Sequence, residues 1–268
     1  MSQIHPTAVI ANDAVLADDV FIGPNCIIES NASIGSGSRV EANIVIGKNV
    51  RIGKNNHLFH NCVIGTPPQV LAMDPDSPMG TIVIGDNNTV REFVTIHPSM
   101  YPDKKTEIGS DNLLMIGVHI GHDCMLEDKI VMSNFVQVSG HCRIETGAWL
   151  SGMVLLHQFV TIGKWVYAAG MTGINRDVPP FLVVSGHYPP LIRGVNKRGM
   201  TRAGLSEEQQ KNVLHAYKKL YRSPGTLLNN AKELAQQDGL DENVKAMVET
   251  ILKSSEHRYS RYLELFRH

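Results

Sequence analysis

Two histidines and an aspartate interrupt a stretch of small and aliphatic residues in the middle of the chain. The stretch is residues 116–124, Ile-Gly-Val-His-Ile-Gly-His-Asp-Cys, and its polar members are His119, His122 and Asp123. An imidazole titrates at about pH 6.5, so a histidine that a carboxylate orients can take a proton from a hydroxyl or an amine near neutrality. The adjacent pair His122 and Asp123 therefore predicts general-base chemistry.

A six-residue repeat surrounds this stretch and predicts the elements that must position it. Aliphatic residues recur at every sixth position in three runs, Ile4 to Ile64, Ile84 to Ile96 and Ile108 to Ala168, and Ala168 is the one member that is not Ile, Leu, Val or Met. Glycine is frequent one residue later and asparagine or aspartate three residues later, as expected for a short strand followed by a bend. Such units are typical of a hexapeptide parallel β-helix, in which three units make one triangular coil. Residues one coil apart in sequence then share a column, with a spacing of about 4.8 Å between rungs.

Composition and charge are those of a globular chain. The 268 residues include 43% hydrophobic types, enough for a buried core, and the formal net charge of -1 gives no global attraction to nucleic acid or to a membrane surface. The first residues lack the basic and apolar regions of a signal peptide, and no apolar run reaches the roughly 18 residues of a transmembrane helix. We therefore expect a cytoplasmic protein with no transmembrane segment and no nucleic-acid partner.

The four cysteines, Cys26, Cys62, Cys124 and Cys142, occur singly, without a Cys-x-x-Cys pair. That arrangement argues against a zinc ribbon or a thioredoxin-like redox motif. All four fall at the fifth position of the repeat, where small or β-branched residues are common. We interpret them as small core residues stacked inside the coil.

Two segments break the repeat and are predicted to leave the coil as external loops. They lie near residues 66–82 and 98–107, and loops on a rigid solenoid commonly carry binding sites. After the last run the repeat ends, and from Leu205 the apolar spacing becomes helical. We predict a β-helix domain over 1–190 and a small α-helical domain over 191–268.

Capping residues predict where the helices of the second domain begin. Ser206 and Gln209 form a capping box at the start of one helix. Later helices are predicted to begin at Thr226, at Asp241, and at Ser254 or Ser255.

The column rule gathers polar residues onto one corner of the coil. Three adjacent columns hold His122 with Gly140 and Gln158, Asp123 with His141, and Ser139 with His157. The small Gly140 is expected to leave open space beside His122. Taken singly, Asp123 and His141 have a structural interpretation because Asp and His tolerate a bend, and His97 and His119 could be solvated surface groups. A functional site explains the whole cluster better than coincidence in three neighbouring columns.

The residues of this corner fit direct acyl transfer. There is no Gly-x-Ser-x-Gly motif and no evident nucleophile beside the histidines, since Cys124 falls at a core position. His122 could take the proton of a substrate hydroxyl or amine, while a backbone N–H such as that of Gly140 stabilises an oxyanion by ~3 kcal/mol. No covalent enzyme intermediate is needed.

Several segments resemble the UDP-N-acetylglucosamine 3-O-acyltransferases that begin lipid A synthesis. They are His119-Ile-Gly-His122-Asp123-Cys, Ser139-Gly140-His141, His157-Gln158-Phe159, Asp177-Val-Pro-Pro and Gly194-Val-Asn196. The resemblance is colinear over essentially the whole chain, and it implies a left-handed coil and a homotrimer with active sites between neighbouring prisms. It implies an enzyme that moves a (3-hydroxy)acyl chain from acyl carrier protein to the 3-position of UDP-N-acetylglucosamine. The implied enzyme has no metal and no cofactor, the phosphopantetheine thioester of the carrier protein being a co-substrate.

The resemblance also implies roles for individual residues. His122 corresponds to the general base, Asp123 to its orienting partner and Gly140 to the oxyanion N–H. Substrate-binding positions are implied at His97, His119, His141, His157, Gln158, Gly170, Asn196 and Arg202. Of these, Gly170 corresponds to the position that measures acyl-chain length, and Asn196 and Arg202 to positions near the nucleotide and phosphates.

The chain departs from the family pattern in the first of the two loops. The family usually has Gln, an acidic residue, a hydrophobic residue and Lys in succession, whereas here Gln69 is followed by Val70, Leu71 and Ala72. Arg202 also lacks the second arginine that tends to follow it. The acceptor could therefore be the 3-amino analogue of the sugar nucleotide, or another acceptor in a divergent paralogue.

Two other classes of function fit the repeat. The γ-class carbonic anhydrases also use a left-handed β-helix and bind zinc through three histidines shared between subunits, but their wider ligand spacing is absent here. A solenoid that serves only as a binding or structural module would leave the histidines as surface groups. Metal analysis tests the zinc alternative, since stoichiometric zinc on His119 or His122 contradicts the acyltransferase mechanism.

Overall fold

The chain folds into a triangular prism of parallel β-strands, followed by a small group of helices. The computed structural model describes residues 3–71, 73–74 and 77–266. Each turn of chain crosses three sheets in succession, so that neighbouring strands of a sheet come from successive turns. Most neighbouring strands pair 18 residues apart, as His119 does with Gln137 and Gln137 with Leu155. The predicted triangular coil is confirmed.

Three sheets, named A, B and C, form the sides of the prism in the described part of the chain. Sheet A has the strands Gln3–Ile4, Phe21–Ile22, Arg39–Val40, His57–Leu58, Thr89–Val90, Leu113–Leu114, Val131–Met132, Trp149–Leu150, Tyr167–Ala168, Leu182–Ser185 and Leu191–Val195, the last of them antiparallel. Sheet B has the strands Val9–Ile10, Ile27–Ile28, Val45–Ile46, Val63–Ile64, Thr95–Ile96, His119–Ile120, Gln137–Val138, Leu155–Leu156 and Gly173–Ile174. Sheet C has the strands Val15–Leu16, Ser33–Ile34, Val50–Ile52, Thr81–Ile84, Lys105–Ile108, Met125–Leu126, Arg143–Ile144 and Thr161–Ile162.

Two inward side chains from most repeat units fill the prism, an aliphatic one at the first position and a mostly small or β-branched one at the fifth. From Ile22 to Ala168 these side chains are buried, and burial of an isoleucine or leucine contributes about 2 kcal/mol to stability. At the N-terminal end Ile4 remains 44% exposed, because no rung lies beneath it. All four cysteines are buried and free, which confirms that they are core residues.

From Asn25 onward, the bend of most units holds its fourth residue in the left-handed backbone conformation. Asn25 and Asn87 have φ of 56° and 58°, as expected for asparagine. Asp123 and His141 have φ of 59° and 61°, so both serve the bend as well as the polar corner. Phe135 has φ of 59° although phenylalanine disfavours this conformation. The stacking of rungs therefore imposes the bend, whatever residue occupies it.

Two loops leave the prism where the repeat breaks, both between sheet B and sheet C. The first loop comprises residues 65–80 and the second loop residues 97–104. The predicted loops 66–82 and 98–107 extend too far at their C-terminal ends, because the residues there lengthen two strands of sheet C and bury alternate side chains in the prism. Ala72, one of the residues that departs from the family pattern, lies outside the described residues.

Helices follow the last strand. In the described part of the chain these are α1 (Lys197–Arg202), α2 (Glu207–Arg222), α3 (Leu227–Ala235), α4 (Glu242–Ser255) and a final 3-10 helix, Tyr262–Phe266. None of these helices has the length and apolar character that crossing a bilayer requires. The division of the chain at residues 190 and 191 stays a prediction.

The capping residues read from the sequence are confirmed for three helices. The Ser206 hydroxyl accepts a hydrogen bond from the Gln209 N–H, and the Gln209 side chain accepts one from the Ser206 N–H. Thr226 caps α3 and Asp241 caps α4. The prediction of a last helix that begins at Ser254 or Ser255 is wrong, since α4 continues to Ser255.

Asp177 connects the C-terminal segment to the end of the prism through hydrogen bonds to its carboxyl group. Its Oδ2 accepts hydrogen bonds from the Ser254 hydroxyl at 2.7 Å and the Tyr262 N–H at 2.9 Å. Its Oδ1 accepts one from the Thr161 N–H at 2.7 Å. Burial outweighs these hydrogen bonds and raises the pKa of Asp177 to about 6.

Replacing Asp177 by alanine is expected to lower the free energy of unfolding by about 2–4 kcal/mol, because three donors to a buried carboxyl group lose their acceptor. The folded pKa of about 6 lies above the ordinary value of 3.8, so the folded state binds the proton more tightly. The stability of the unmodified protein relative to the variant should therefore fall as the pH rises from about 4 to about 6, by up to about 3 kcal/mol. Urea unfolding across this pH range measures both effects.

The exposed Asp238 provides the control, since Asp238→Ala also removes a carboxylate from the C-terminal region. It should leave the unfolding midpoint nearly unchanged. A stability difference between Asp177→Ala and the unmodified protein that grows with rising pH would contradict the raised pKa.

Candidate active site

The polar cluster lies on the edge of the prism where sheet B turns into sheet C, here called the site corner. The bends of three successive turns, residues 121–124, 139–142 and 157–160, stack at this edge. Both external loops leave the prism from the same edge, directly below. The repeat therefore brings together residues that are far apart in sequence.

His122 and Asp123 form a hydrogen-bonded pair at the centre of the site corner. The His122 Nδ1 lies 2.8 Å from Asp123 Oδ2, and both side chains are largely buried. With Nδ1–H donating to the carboxylate, Nε2 is the ring atom left to accept a proton. The pair is therefore oriented as general-base catalysis requires.

The Asp123 carboxylate is held by more than His122. Oδ1 accepts a hydrogen bond from the Ser99 hydroxyl, and Oδ2 accepts one from the Met100 N–H at 3.3 Å. The Asp123 N–H in turn donates to the Thr106 hydroxyl oxygen at 2.8 Å. Burial raises the pKa of Asp123, but the hydrogen bonds from His122, Ser99 and Met100 outweigh it and hold the pKa below the ordinary value. The carboxylate is thus charged at neutral pH.

Gly140 lies against the His122 ring. A Cβ placed on Gly140 would lie 2.6 Å from His122 Cε1 and Nε2, a distance that no side chain tolerates. The expectation of open space beside His122 is wrong, because the imidazole itself occupies that space. Within the described residues the Gly140 N–H has no hydrogen-bond acceptor, so it is available to a substrate oxygen.

His141 forms the wall of the corner on the side of sheet C. Its ring meets the His122 ring edge-on at 4.9 Å and stacks on Phe159 at 4.6 Å and 4°. Its Nε2 lies 3.9 Å from Asp123 Oδ2. A cavity of about 200 Å³ opens beside it, lined by residues that include Tyr101, Lys104, Met125, Phe159 and Leu263.

His97 and His119 lie on the side of sheet B, and they are not the solvated surface groups that one interpretation suggested. Their ring centroids are 5.2 Å apart, and His97 is 4% exposed. His97 Nδ1 lies 3.0 Å from the Thr66 carbonyl oxygen, and His119 Nδ1 lies 2.9 Å from the Thr95 hydroxyl. Burial, with the neighbouring histidines, lowers the pKa of His119 to about 4. His119 is therefore neutral near pH 7, and its ring can donate one hydrogen bond and accept one.

Two of the predicted binding residues, His157 and Gln158, lie at the exposed end of the site, whereas Gly170 does not. His157 and Gln158 are on the rung above Gly140, and His157 Nδ1 lies 3.2 Å from the Gln158 carbonyl oxygen. Gly170 lies on the opposite edge of sheet B, where sheet A turns into sheet B. Sheet B thus separates Gly170 from His122.

Asn196 and Arg202 lie away from the site corner of their own chain. The Asn196 side chain caps α1 by accepting from the Gly199 N–H at 3.0 Å, and it donates to the Trp165 carbonyl oxygen at 2.8 Å. The Arg202 guanidinium lies 4.9 Å from the centroid of the Trp149 ring on sheet A. In a triangular prism sheet A is the side opposite the site corner, so one chain does not bring these two residues to His122.

The residues His122, Asp123 and His141 could together hold a metal ion, because one ligand atom from each lies within 4.8 Å of the others. A divalent cation there would occupy the atoms that a general base needs. The zinc alternative thus competes with acyl transfer for the same side chains.

Ser99, Met100 and Tyr101 belong to the site but were missed by the sequence reasoning. All three come from the second loop, where no repeat relates a residue to a column. Ser and Tyr residues in such a loop do not recur at a fixed spacing, so the repeat does not predict where they lie. The available sign was that Pro98–Glu107 replaces one unit without changing the register, which indicates that the loop returns to the prism.

Comparison with family models and curated proteins points to one group of enzymes. A model described as Udp N-acetylglucosamine O-acyltransferase, domain 2, matches residues 177–259. An acyl-[acyl-carrier-protein]–UDP-N-acetylglucosamine O-acyltransferase of Paraburkholderia phymatum is 43% identical over 260 residues, which cover 95% of this chain and 98% of the relative. A relative of the same name from Gloeothece citriformis is 40% identical over 179 residues, 67% of this chain, and that match spans 64% of the relative's length.

Solved structures of the same kind of enzyme share the fold. The UDP-N-acetylglucosamine acyltransferase of Francisella novicida superposes with a TM-score of 0.88 at 34% identity, over 93% of this chain and 91% of that one. The O-acyltransferase of Moraxella catarrhalis superposes with a TM-score of 0.86 at 35% identity, over 92% and 95%. These similarities confirm the predicted fold class, a left-handed parallel β-helix with a C-terminal helical part.

Proposed function

Because the chain belongs to the family of acyl-[acyl-carrier-protein]–UDP-N-acetylglucosamine O-acyltransferases, we propose that it moves a (3-hydroxy)acyl chain from acyl carrier protein to the 3-position of UDP-N-acetylglucosamine. That transfer is a step of lipid A synthesis. The observation that carries the proposal is the His122 imidazole, oriented by Asp123 and packed against Gly140. The predicted cytoplasmic location stays a prediction.

His122 acts as the general base. Its Nε2 takes the proton of the sugar 3-hydroxyl as the hydroxyl oxygen attacks the thioester carbonyl, and Asp123 stabilises the imidazolium that forms. The Gly140 N–H donates to the oxyanion of the tetrahedral intermediate. The C–S bond then breaks, and the imidazolium returns the proton to the departing phosphopantetheine thiolate. The acyl group ends on the sugar oxygen, and no covalent enzyme intermediate forms.

The other predicted residues bind the substrates. We assign His97, His119, His141, His157 and Gln158 to the cleft around the sugar and thioester. The neutral His119 and the nearly buried His97 suit hydrogen bonds to uncharged groups. Gly170 sets acyl-chain length in this proposal, and Asn196 and Arg202 bind the nucleotide.

We propose that the protein works as a homotrimer in which neighbouring prisms complete each site. Asn196 and Arg202 lie opposite their own site corner, so a second copy must supply them. A line of apolar side chains is exposed along the edge between sheets A and B, namely Phe93, Phe135, Met153 and Met171. An exposed apolar stripe on a rigid surface is typical of an interface between subunits.

Phe135→Asp tests this assembly. Phe135 is 50% exposed, so the isolated prism should tolerate the change, whereas three buried carboxylates would face one another or apolar neighbours in a trimer. We expect Phe135→Asp to be monomeric at micromolar concentration, as measured by light scattering after gel filtration. Its transfer activity should fall in proportion to the loss of trimer. Lys129→Asp, at an equivalent bend on the edge between sheets C and A, is the control and should remain assembled. Trimeric Phe135→Asp would contradict the stripe as the interface.

A basic surface lies on and next to the helices. Residues 193–222 include eight Lys or Arg and two Glu, and Lys197, Arg198, Lys211 and Lys218 are exposed. An excess of positive charge of this kind attracts an acidic partner and speeds its association. We propose that acyl carrier protein, whose phosphopantetheine thioester is the co-substrate, binds here.

An acyl-transfer assay decides the function. Thioesters of acyl carrier protein with a range of chain lengths are offered with UDP-N-acetylglucosamine and, separately, with its 3-amino analogue. Transfer to the hydroxyl supports the proposal, and transfer only to the amine assigns the 3-amino analogue as the acceptor, the alternative that the departure at Val70 leaves open. Zinc analysis of the purified protein runs in parallel, and one zinc per site with no acyl transfer would favour the hydratase alternative.

A further inference from the structure

We propose that Ser99, from the second loop, is a positioning residue that fixes the Asp123 carboxylate and through it the His122 ring. This inference rests on the proposed function of His122 as the general base. Ser99 thereby joins His122 and Asp123 as a third residue, and it comes from the second loop, outside the repeat.

The Asp123 carboxylate has two oxygens with different partners. Oδ2 receives the His122 ring at 2.8 Å, while Oδ1 receives the Ser99 hydroxyl. A carboxylate held on one oxygen alone can rotate about its last bond, and rotation would carry Oδ2 away from His122. The Ser99 hydroxyl therefore defines the plane of the carboxylate that the imidazole follows.

Ser99 is itself held in one orientation. It is 0% exposed, and its hydroxyl oxygen accepts the Tyr101 N–H at 3.0 Å. With that oxygen lone pair occupied, the hydroxyl proton is directed to Asp123 Oδ1, the shorter of its two acceptor contacts. Because the Ser99 hydroxyl is fully buried and its proton is directed at Asp123, it can hold the carboxylate in one orientation.

The end of the first loop clamps Ser99 from below. The Gly80 N–H donates to the Ser99 carbonyl oxygen at 3.0 Å. A Cβ on Gly80 would lie 2.9 Å from the Ser99 Cβ and closer still to the carbonyl oxygens of Tyr101 and Lys104. Both loops are thus tied to the carboxylate that orients His122.

Ser99 should act on proton affinity as well as on geometry. Its hydroxyl stabilises the charged carboxylate most when His122 is neutral, because an imidazolium would already neutralise part of that charge. Loss of the hydroxyl should therefore raise the proton affinity of the coupled pair and move the acid limb of the pH–rate profile to higher pH. The other titratable or charged groups around Asp123 are His141, Cys124, Cys142, Lys104, Lys105 and Arg143, and none of them changes in the variants used.

The test compares Ser99→Ala, Ser99→Thr and the unmodified enzyme in the acyl-transfer assay. Ser99→Ala should lower kcat about tenfold with KM for both substrates nearly unchanged, the scale of a lost hydrogen bond to a charged group, and should shift the acid limb upward. Ser99→Thr keeps the hydroxyl and should restore both kcat and the pH profile. Ser38→Ala is the matched control, because Ser38 is equally buried and hydrogen-bonded at another edge of the prism.

The outcomes separate this proposal from the proposed function. A Ser99→Ala enzyme with unmodified kcat and pH profile, in an assay where His122→Ala is inactive, overturns the role of Ser99 and leaves the function standing. If the unmodified protein transfers no acyl group, the proposed function is wrong, but the role of Ser99 can still be tested by a ¹³C titration of the Asp123 carboxyl group. A higher titration midpoint of Asp123 in Ser99→Ala than in the unmodified protein supports the role of Ser99. An unchanged midpoint overturns it. If Ser99→Ala does not fold, Ser99→Cys replaces it in the comparison of kcat and pH profile with the unmodified enzyme, because a thiol has a similar size but is a weaker hydrogen-bond donor.

Discussion

Replacing His122 by alanine is expected to lower kcat for acyl transfer by at least ~100-fold, the usual scale for loss of a general base. The ring is held by Asp123 at 2.8 Å and lies against Gly140, so no other atom of the described residues can take its place as the proton acceptor in the same position. His141 is the nearest histidine, but its ring meets His122 edge-on at 4.9 Å and stacks on Phe159. Initial rates with saturating acyl carrier protein thioester measure the loss.

His57→Ala is the matched control for this variant. His57 Nε2 pairs with Glu41 at 2.8 Å on sheet A, which reproduces a histidine–carboxylate pair away from the site corner. It should retain nearly full activity. A His122→Ala enzyme that keeps the rate of His57→Ala would refute the general-base assignment, whatever the acceptor proves to be.

Gly140→Ala is expected to cost ~100-fold in kcat with the fold intact. The new Cβ would lie 2.6 Å from the His122 ring, and the ring must move because the backbone of the stacked turns cannot. A displacement of about 1 Å in a reacting group is enough for a loss of this size. Alanine retains the backbone N–H, so the loss would report the position of the imidazole rather than removal of the oxyanion donor.

Gly152→Ala provides the comparison for Gly140→Ala. Gly152 occupies the same kind of bend at the edge between sheets A and B, and its Cβ would meet only the Asn134 carbonyl oxygen at 3.5 Å. It should be active and equally stable. If both alanine variants lose the same activity, the effect belongs to the bend in general and the contact with His122 is not its cause.

Most of the architecture was predictable from the sequence because each repeat of a solenoid contacts only the repeats next to it. Each unit buries an aliphatic side chain at its first position, most bury a second side chain at the fifth, and each stacks only on its neighbours, so a period of six in the sequence becomes the prism and its columns. The same rule places His122, Asp123 and His141 at one corner from the sequence alone. It also identified the buried cysteines, since Cys124 falls at the position that points inward.

Fine contacts within the predicted corner were not predictable from columns. The column rule puts Gly140 beside His122, but it does not say that the imidazole folds over the glycine and fills the space. It likewise does not predict the burial of His97, whose Nδ1 lies 3.0 Å from the Thr66 carbonyl oxygen at the start of the first loop. Side-chain direction and loop path decide these points, and neither follows from spacing.

By itself the sequence determined the fold class, the corner where chemistry is concentrated and the pair at its centre, because repeat periodicity and stacking are local rules. Only the tertiary structure decided which loop residues reach the pair, since the second loop has no repeat to relate Ser99 to Asp123. It also decided that Asn196 and Arg202 lie opposite the site corner, because the path of the chain after the last rung is set by long-range packing of the helices on sheet A. Asp123 depends on both: it is a bend residue of the repeat, and its carboxylate has one partner inside the repeat, His122, and two outside it, Ser99 and Met100.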